Sequence, residues 1–311
     1  MSEAAELAAR LRARDLTAAP ATLNLVEHRG RRAEAAELLA ALGTAAPGHV
    51  VGVTGPPGAG KSTLLSALAR EWRSRGRSVA VLAVDPSSKR SGGALLGDRA
   101  RIEADPHDRA LFIRSMAAGE RLGGLAPATR TAAQALAAAF DVVVIETVGV
   151  GQSETEVADA ADTVAVVVQP GSGDALQFLK SGIMEIPDVL VVTKADLGVV
   201  ATRARRDLHA ALRSLGARDV PVVAVSCLPP PVGIAELVDA LAAHRERLDL
   251  PARRLRARRA GALSDFVAEH GDRGLRALGG RRAAQKLLAE LDPQAPEPEL
   301  VRALEARAAR T

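Results

Sequence analysis

Two patterns of hydrophobic positions divide the chain. Over residues 3–42, leucines recur at helical spacing among Ala, Glu and Arg, which predicts helices broken at Pro20 with Thr17 as a cap. From residue 49 to about 228, short β-branched runs recur instead, and most of them are apolar throughout rather than alternating. Such runs are typical of parallel strands that are covered on both faces.

Helical stretches separate most of these β-branched runs. The alternation predicts an α/β fold with a doubly wound, mostly parallel sheet. The predicted strands are Val50–Thr54, Val79–Val84, Leu111–Ile113, Val142–Ile145, Val164–Val168, Val189–Thr193 and Val220–Val225. The predicted helices between them are Ser62–Arg75, Leu125–Ala139, Asp174–Glu185 and Val199–Leu215.

The pattern turns helical again after the last predicted strand. A helix is expected over 233–250, and after Pro251 the chain reads as helical, with interruptions at Gly271, Gly274, Gly279–Gly280 and Pro293. We therefore expect three parts. They are an amino-terminal helical extension (1–47), an α/β domain (48–250) and a carboxy-terminal helical arm (251–311) that is expected to dimerise.

Composition narrows the class of protein. Of the 311 residues, 48% are hydrophobic and 25% charged, which excludes wholesale disorder, and one cysteine excludes an internal disulfide framework. No apolar stretch is long enough for a membrane span or a signal peptide, so a cytoplasmic protein is expected. Aromatic residues make up only 2%, so a nucleic-acid partner is not expected despite the net charge of +4.

Lysine is rare in a chain that carries most of its positive charge as arginine. Only five of the 41 basic residues are lysines, and Lys61, Lys89, Lys180 and Lys194 fall within the motifs described below. A compact ammonium is not interchangeable with a planar guanidinium where it must fit a phosphate pocket. These lysines are therefore candidate functional residues.

The strongest motif follows the first predicted strand. It matches G-x-x-x-x-G-K-[ST] between a strand and a helix, where glycines turn backbone N–H groups toward phosphate oxygens. Lys61 would reach the β- and γ-phosphates, and Ser62 would ligate Mg²⁺. The candidate phosphate-binding residues are Gly55, Pro56, Pro57, Gly58, Ala59, Gly60, Lys61, Ser62 and Thr63.

Acidic residues at strand ends supply candidate magnesium ligands. Glu146 ends an apolar strand, where P-loop enzymes place an acid for Mg²⁺ or its water. Asp85 and Asp98 lie in a loop after another strand and could also bind or sense the ion. Beyond Glu146, the Gly149 N–H could contact the γ-phosphate, and Gln152 could touch the attacking water or a partner.

A third motif indicates the base. Thr193-Lys194-Ala195-Asp196 resembles the N-K-x-D guanine motif, in which the carboxylate accepts hydrogens from N1–H and the exocyclic amine. Thr193 replaces Asn, and its hydroxyl could still tie this loop to the phosphate loop. GTP is therefore favoured over ATP. Backbone contacts to guanine are expected from a second loop, formed by Ser226, Cys227 and Leu228.

Two further segments can each be interpreted in more than one way. A Gly-rich segment over 170–183 contains Lys180, whose identity as a lysine suggests a functional role, and Asp174, which could simply cap a helix. Five arginines between residues 253 and 259 are most simply the solvated face of a helix, with a partner or subunit contact as the alternative. Histidine and cysteine do not cluster at metal-ligand spacing, which disfavours a nickel metallochaperone.

Together these motifs resemble the MeaB/ArgK family of P-loop GTPases, which includes the methylmalonic aciduria type A protein. The motifs G-P-P-G-A-G-K-S-T, V-D-P-S-S, G-G-A-L-L-G-D-R, E-T-V-G-V-G-Q-S-E, P-G-S-G-D-A-L-Q and K-A-D occur in order, over about residues 20–250. The resemblance implies a homodimeric GTPase that uses GTP/GDP and Mg²⁺. It also implies a chaperone of an adenosylcobalamin-dependent acyl-CoA mutase, of the methylmalonyl-CoA mutase type, that gates cofactor loading.

The resemblance also assigns roles. Gly149–Glu154 would be one switch and Gly171–Lys180 another that signals to the mutase. Candidate catalytic residues are then Lys61, Glu146, Gln152 and Lys180; candidate metal ligands are Ser62, Asp85, Asp98 and Glu146; and Lys194, Asp196 and Ser226–Leu228 would read guanine. The alternatives are a nickel metallochaperone GTPase and an ATP-dependent kinase or transport regulator.

Overall fold

A computed structural model describes residues 2–85, 102, 105, 107–117, 125–147, 156–171, 187–217 and 219–310. Its strands are β1 (His49–Thr54), β2 (Val79–Asp85), β3 (Leu111–Ala117), β4 (Val142–Glu146), β5 (Thr163–Val168), β6 (Val189–Val192) and β7 (Val222–Ala224). Its helices are α1 (Glu3–Arg12), α2 (Ala19–Glu27), α3 (Arg32–Leu42), α4 (Lys61–Ser74), α5 (Pro127–Leu136), α6 (Val199–Ser214), α7 (Ile234–Arg247), α8 (Leu250–Ala277), α9 (Arg281–Glu290) and α10 (Glu297–Ala308).

The strands form one parallel sheet in the order β3-β2-β4-β1-β5-β6-β7. The predicted doubly wound α/β fold is confirmed, and each predicted strand is present with shifted ends. The strand β3 continues to Ala117 beside β2, whereas β7 is limited to three residues at the opposite edge. The predicted helix Asp174–Glu185 lies outside the described residues.

Helices cover both faces of the sheet. On one face, leucines of α1–α3 and the residues around Phe140 join the strands in a single apolar cluster. On the other face, α4 and α7 contribute Leu64, Leu68 and Leu237 to a second cluster. The arm has its own cluster around Phe266. The amino-terminal helices therefore share a core with the sheet, and the boundaries at 47/48 and 250/251 stay predictions.

Across the described stretches of the chain, no helix combines the length and the apolar character that crossing a membrane requires.

Three predicted helix signals, at Thr17, Pro20 and Gly274, were wrong. Asp15, not Thr17, accepts the N–H in the turn before α2, from Thr17 itself at 3.0 Å. Pro20 lies in the first turn of α2, where a missing N–H costs little, rather than at a break. In α8 the backbone departs from helix at Gly271, where φ is +59°, and Gly274 does not interrupt it.

The arginine run at the start of α8 faces the rest of the protein. Arg254 donates to both oxygens of Asp162, at 2.9 and 2.7 Å, and also to the carbonyl oxygen of Gly48 at 2.7 Å. Arg258 is buried and donates to the Pro293 carbonyl at 2.7 Å. The interpretation of a solvated face is therefore wrong for these two arginines, because they satisfy buried acceptors inside the chain.

A row of hydrogen-bonded polar side chains lies at the edge of the sheet where β1 and β5 begin. The Thr163 hydroxyl lies 2.8 Å from Nε2 of His49 and 2.9 Å from Nδ1 of His244, and Nε2 of His244 lies 3.3 Å from an oxygen of Asp188. Burial lowers the pKa of His49 to about 4, since a charged imidazole would lose its hydration there. His49 is therefore neutral in the folded protein at neutral pH.

We expect the fold to lose stability in acid partly through His49. The unfolded chain binds the proton at the ordinary pKa of 6.5, so the stability contributed by neutral His49 is complete above that pH and is lost as the pH falls toward 4. The loss amounts to roughly 3 kcal/mol. Denaturant unfolding of wild type and His49→Asn at pH 7.0 and 4.5 checks this. Equal losses of stability in the two proteins would contradict the prediction.

Candidate nucleotide-binding site

The predicted phosphate loop lies at the carboxyl edge of the sheet, between β1 and α4. Gly55 has φ +145°, and a Cβ atom there would lie 2.2 Å from the Val167 carbonyl oxygen, so only glycine fits. Gly60 has φ +90° and lies just before α4, and no described side chain caps that helix end. The first N–H groups of α4 therefore point toward the loop, as an anion site requires.

Lys61 is folded back over this loop. Its ammonium donates to the carbonyl oxygens of Gly55 at 2.7 Å and Pro56 at 3.2 Å, and the residue is only 8% exposed. These contacts hold the positive charge beside the N–H groups of the loop. The remaining loop residues, Pro57, Gly58, Ala59, Ser62 and Thr63, are all described, with Ala59 buried and Pro57, Gly58 and Thr63 exposed.

Two predicted magnesium ligands meet beside the loop. The Ser62 hydroxyl donates to Oε1 of Glu146 at 3.1 Å, and Glu146 is 1% exposed at the end of β4. Pairing of β4 directly with β1 brings them together. Asp85 ends β2 two residues beyond the partner of Glu146, so its backbone lies at the same edge.

Sequence reasoning missed a pair of threonines. The Thr147 hydroxyl lies 2.8 Å from that of Thr54, and the Thr147 N–H donates to the Val53 carbonyl at 3.1 Å. Both threonines are fully buried. They fix the chain after Glu146 against the end of β1. Nothing in the linear sequence marks them, because the contact depends on which strand neighbours β1.

Thr193 ties the predicted base loop to the phosphate loop. Its buried hydroxyl donates to the Ala59 carbonyl oxygen at 2.7 Å, and its N–H donates to the Val168 carbonyl oxygen at 3.0 Å. The contact expected of threonine in place of asparagine is therefore present. The next residue, Lys194, has φ +53°, a conformation that a non-glycine residue adopts at some cost.

The two loops predicted to read the base are joined to each other. The Ser226 hydroxyl donates to Oδ1 of Asp196 at 2.8 Å, and the Ala195 N–H donates to the Val225 carbonyl oxygen at 2.9 Å. Asp196 is exposed, so its carboxylate is accessible to a ligand. No feature of the linear sequence predicts the Ser226–Asp196 hydrogen bond.

Cys227 and Leu228 continue the second of these loops. Cys227 is half-buried, and burial raises the pKa of its thiol, so the thiol is not activated. The Leu228 N–H donates to the Ser226 hydroxyl at 3.3 Å. Four predicted site residues, Asp98, Gly149, Gln152 and Lys180, lie outside the described residues, as does the side chain of Asp85.

The parallel sheet, the glycine loop at its carboxyl edge and the helix that begins at Lys61 define a P-loop nucleotide-binding protein. The family described as methylmalonyl-CoA mutase-associated GTPase MeaB matches residues 19–273. The chain belongs to that family, which confirms the resemblance seen in its motifs.

Individual relatives agree with this assignment. A putative GTPase of Pyrococcus abyssi is 48% identical over 208 residues, which are 65% of this chain and 64% of that protein. A mitochondrial methylmalonic aciduria type A homolog of Mus musculus is 43% identical over 174 residues, 54% of this chain and 41% of that protein. The matched segments thus span less than two thirds of both relatives.

A solved structure resembles almost the whole chain. The crystal structure of a LAO/AO transport system kinase superposes with a TM-score of 0.67 at 30% identity and covers 98% of both chains. The similarity extends beyond the sheet to the helices at both ends, since the matched region includes nearly every residue. The transport role in that name belongs to that protein and is not assigned to this chain.

Proposed function

We propose that this chain binds GTP in the P-loop site, hydrolyses it to GDP and phosphate, and thereby controls an adenosylcobalamin-dependent acyl-CoA mutase. The observation that carries the nucleotide part is the junction of three loops. Thr193 binds the backbone of the phosphate loop, and Asp196 binds Ser226. A base held by Asp196 would therefore be in a fixed relation to phosphates held at Lys61.

The donor set beside the phosphate loop fits Mg²⁺. A hydroxyl and a carboxylate 3.1 Å apart, largely shielded from solvent, supply the hard oxygen ligands that this ion prefers. Ser62 and Glu146 would hold the ion directly or through its water, with Asp85 and Asp98 as further candidates. When bound, the ion neutralises charge on the β- and γ-phosphate oxygens.

The residues of the chain would then position and stabilise the reacting groups. The N–H groups at the start of α4 and the Lys61 ammonium donate to phosphate oxygens, where negative charge accumulates during transfer. Glu146 accepts from Ser62 and so fixes the orientation of this hydroxyl, whose oxygen lone pairs remain available to a metal ion. Gln152 is proposed to orient the attacking water, and Gly149 to contact the γ-phosphate.

The mutase part of the proposal rests on the family. Its description names a methylmalonyl-CoA mutase as the associated protein. In this proposal, bound GTP selects one arrangement of the segments 149–154 and 171–180, and the mutase recognises it. We further propose that the chain is a homodimer, with the arm at residues 251–311 as the contact.

The test is GTP turnover with and without a purified cobalamin-dependent acyl-CoA mutase. We expect slow turnover alone and a clear increase with the mutase, as for switch GTPases that need an activator. Lys180→Ala should reduce the increase more than it reduces GTP affinity. Cofactor loading of the mutase should differ between GTP and GDP.

A change of nucleotide supplies the matched control. In Asp196→Asn the mutase should accelerate turnover of xanthosine triphosphate rather than GTP, which would assign the stimulated activity to this site. Absence of stimulation of the wild type would contradict the mutase proposal and favour a kinase or transport role. Stimulation that Asp196→Asn leaves unchanged would place the activity in another protein.

A further inference from the structure

The segment Glu156–Asp162 leads into β5 and packs against β1. It precedes β5 and follows the region of Gly149–Glu154 in the chain. Val157 is fully buried, and its Cγ2 atom would lie only 2.6 Å from a Cβ atom added to Gly52 of β1. The segment therefore packs directly on the backbone of the strand that leads into the phosphate loop.

The beginning of this segment is held through Arg130 of α5. The Glu156 carboxylate accepts the Leu125 N–H at 2.5 Å, and Arg130 donates from Nη1 to the Leu125 carbonyl at 3.3 Å. The same guanidinium pairs with Glu297 of α10, at 3.0 Å from Nε to Oε1, and with Asp265 of α8. One buried arginine thus joins this segment, by way of Leu125, to two helices of the arm.

The end of the segment is also held by the arm. Asp162 accepts from Arg254 through both of its oxygens, and Oδ2 also accepts the Val50 N–H at 2.9 Å. Arg253 donates to the Ala161 carbonyl at 3.4 Å. Both ends of the segment are therefore held by arginines that also contact or belong to the arm, Arg130 at the beginning and Arg253 and Arg254 at the end.

The charged groups around Arg130 make the contacts between the arm and the segment depend on one another. The Arg130 side chain is 6% exposed, and desolvation raises the pKa of the buried Glu297 carboxyl above its usual value, against the opposing effect of the adjacent guanidinium. Removing one partner from a buried ion pair leaves an uncompensated charge, which is far more costly than losing a surface pair. The arm therefore cannot move away from Arg130 without disturbing the whole group.

We propose that Arg130 is a positioning residue for GTP hydrolysis, and that through it the docking of the arm (α8–α10) sets the position of the segment Glu156–Asp162. The inference rests on the proposed function for its kinetic consequence. A partner or second copy bound to the arm could then alter the rate of hydrolysis without touching the nucleotide. Arg130 itself does not contact the phosphate loop.

The test compares variants of the full chain in GTP hydrolysis and GDP binding. Arg130→Gln should lower kcat by roughly 5- to 30-fold, as expected for a residue that couples two parts of a protein, and should change GDP affinity less than about two-fold. Arg130→Lys, which keeps the charge but loses the fork of donors, should lie between. In the double variant with Glu297→Gln, the two effects on kcat should not add.

Another arginine of an arm contact provides the control. Arg32 pairs with Glu269 at 3.2 Å on the surface, where an ion pair contributes little, so Arg32→Gln removes an arginine of the α3–α8 contact and leaves the buried contacts that dock the arm intact. Its kcat should equal that of wild type. Unchanged kcat in a folded Arg130→Gln protein, or equal losses of kcat and GDP affinity, would overturn the inference.

A second variant covers the case in which Arg130→Gln does not fold. A Cβ atom on Gly261 would lie 2.7 Å from Oε1 of Glu297, so Gly261→Ala displaces this carboxylate without removing a charge. Amide hydrogen exchange in 156–162 should rise in this variant, and unchanged protection would overturn the inference. A wild type that does not hydrolyse GTP would contradict the proposed function. In that case the hydrogen-exchange result would still show whether the docking of the arm sets the position of the segment 156–162.

Discussion

Replacement of Lys61 by alanine is expected to reduce GTP affinity or turnover roughly 10- to 100-fold. A loss of that size corresponds to the free energy of one hydrogen bond to a charged group. The ammonium lies against the carbonyls of Gly55 and Pro56, beside the first turn of α4. Nothing else described at this edge supplies a cation on the phosphate loop itself. The β- and γ-phosphates would therefore lose their charged donor.

The measurement is GTP binding and steady-state turnover of Lys61→Ala beside Lys286→Ala. Lys286 lies on the exposed side of α9 and is one of only five lysines in the chain, so it controls for the loss of a lysine as such. Thermal unfolding of the nucleotide-free proteins separates a loosened loop from a lost phosphate contact. Undiminished turnover in Lys61→Ala would place the active site elsewhere.

Asp196→Asn is expected to exchange the preference for GTP for one for xanthosine triphosphate. The carboxylate accepts from N1–H and the exocyclic amine of guanine in the proposed complex, and an amide can donate to the carbonyl that xanthine carries instead of the amine. Because bound guanine would shield the mismatched groups from water and leave them unpaired, GTP affinity should fall roughly 100-fold. The Ser226 hydroxyl can still bond the amide oxygen, so the loop should keep its conformation.

Competition binding of GTP, ATP and xanthosine triphosphate to wild type and variant gives the answer. Asp207→Asn, at an exposed carboxylate of α6, serves as the control and should leave the preference unchanged. Equal affinity of the wild type for ATP and GTP would show that Asp196 does not read the base. The kinase alternative would then regain support.

Local physics made the phosphate loop predictable. Gly55 and Gly60 adopt backbone angles that other residues avoid, so a loop of this conformation requires glycine at these positions and can be recognised in the sequence. The β-branched runs likewise predicted the strands, because their side chains suit a sheet that is buried on both faces. The guanine motif was recognisable for a similar reason, since a carboxylate at that position has a specific chemical partner.

Contacts between distant parts of the chain were not predictable in this way. The arginines after residue 252 looked like a solvated face because their sequence is uniformly basic, yet Arg254 fits a carboxylate that is 92 residues away. The same holds for Arg130 with its partners on the arm. A side chain cannot indicate its distant partner unless the fold that brings them together is known.

The fold class, the phosphate loop and the family can all be predicted from the amino-acid sequence alone. Each depends on local backbone requirements or on motifs in order along the chain. The order of the strands is visible only in the folded protein, and it brings Ser62 to Glu146 and Thr193 to Ala59. The way in which the arm is held to the segment before β5 is likewise visible only there. These contacts follow from the packing of whole elements, which depends on burial summed over the chain rather than on any local pattern.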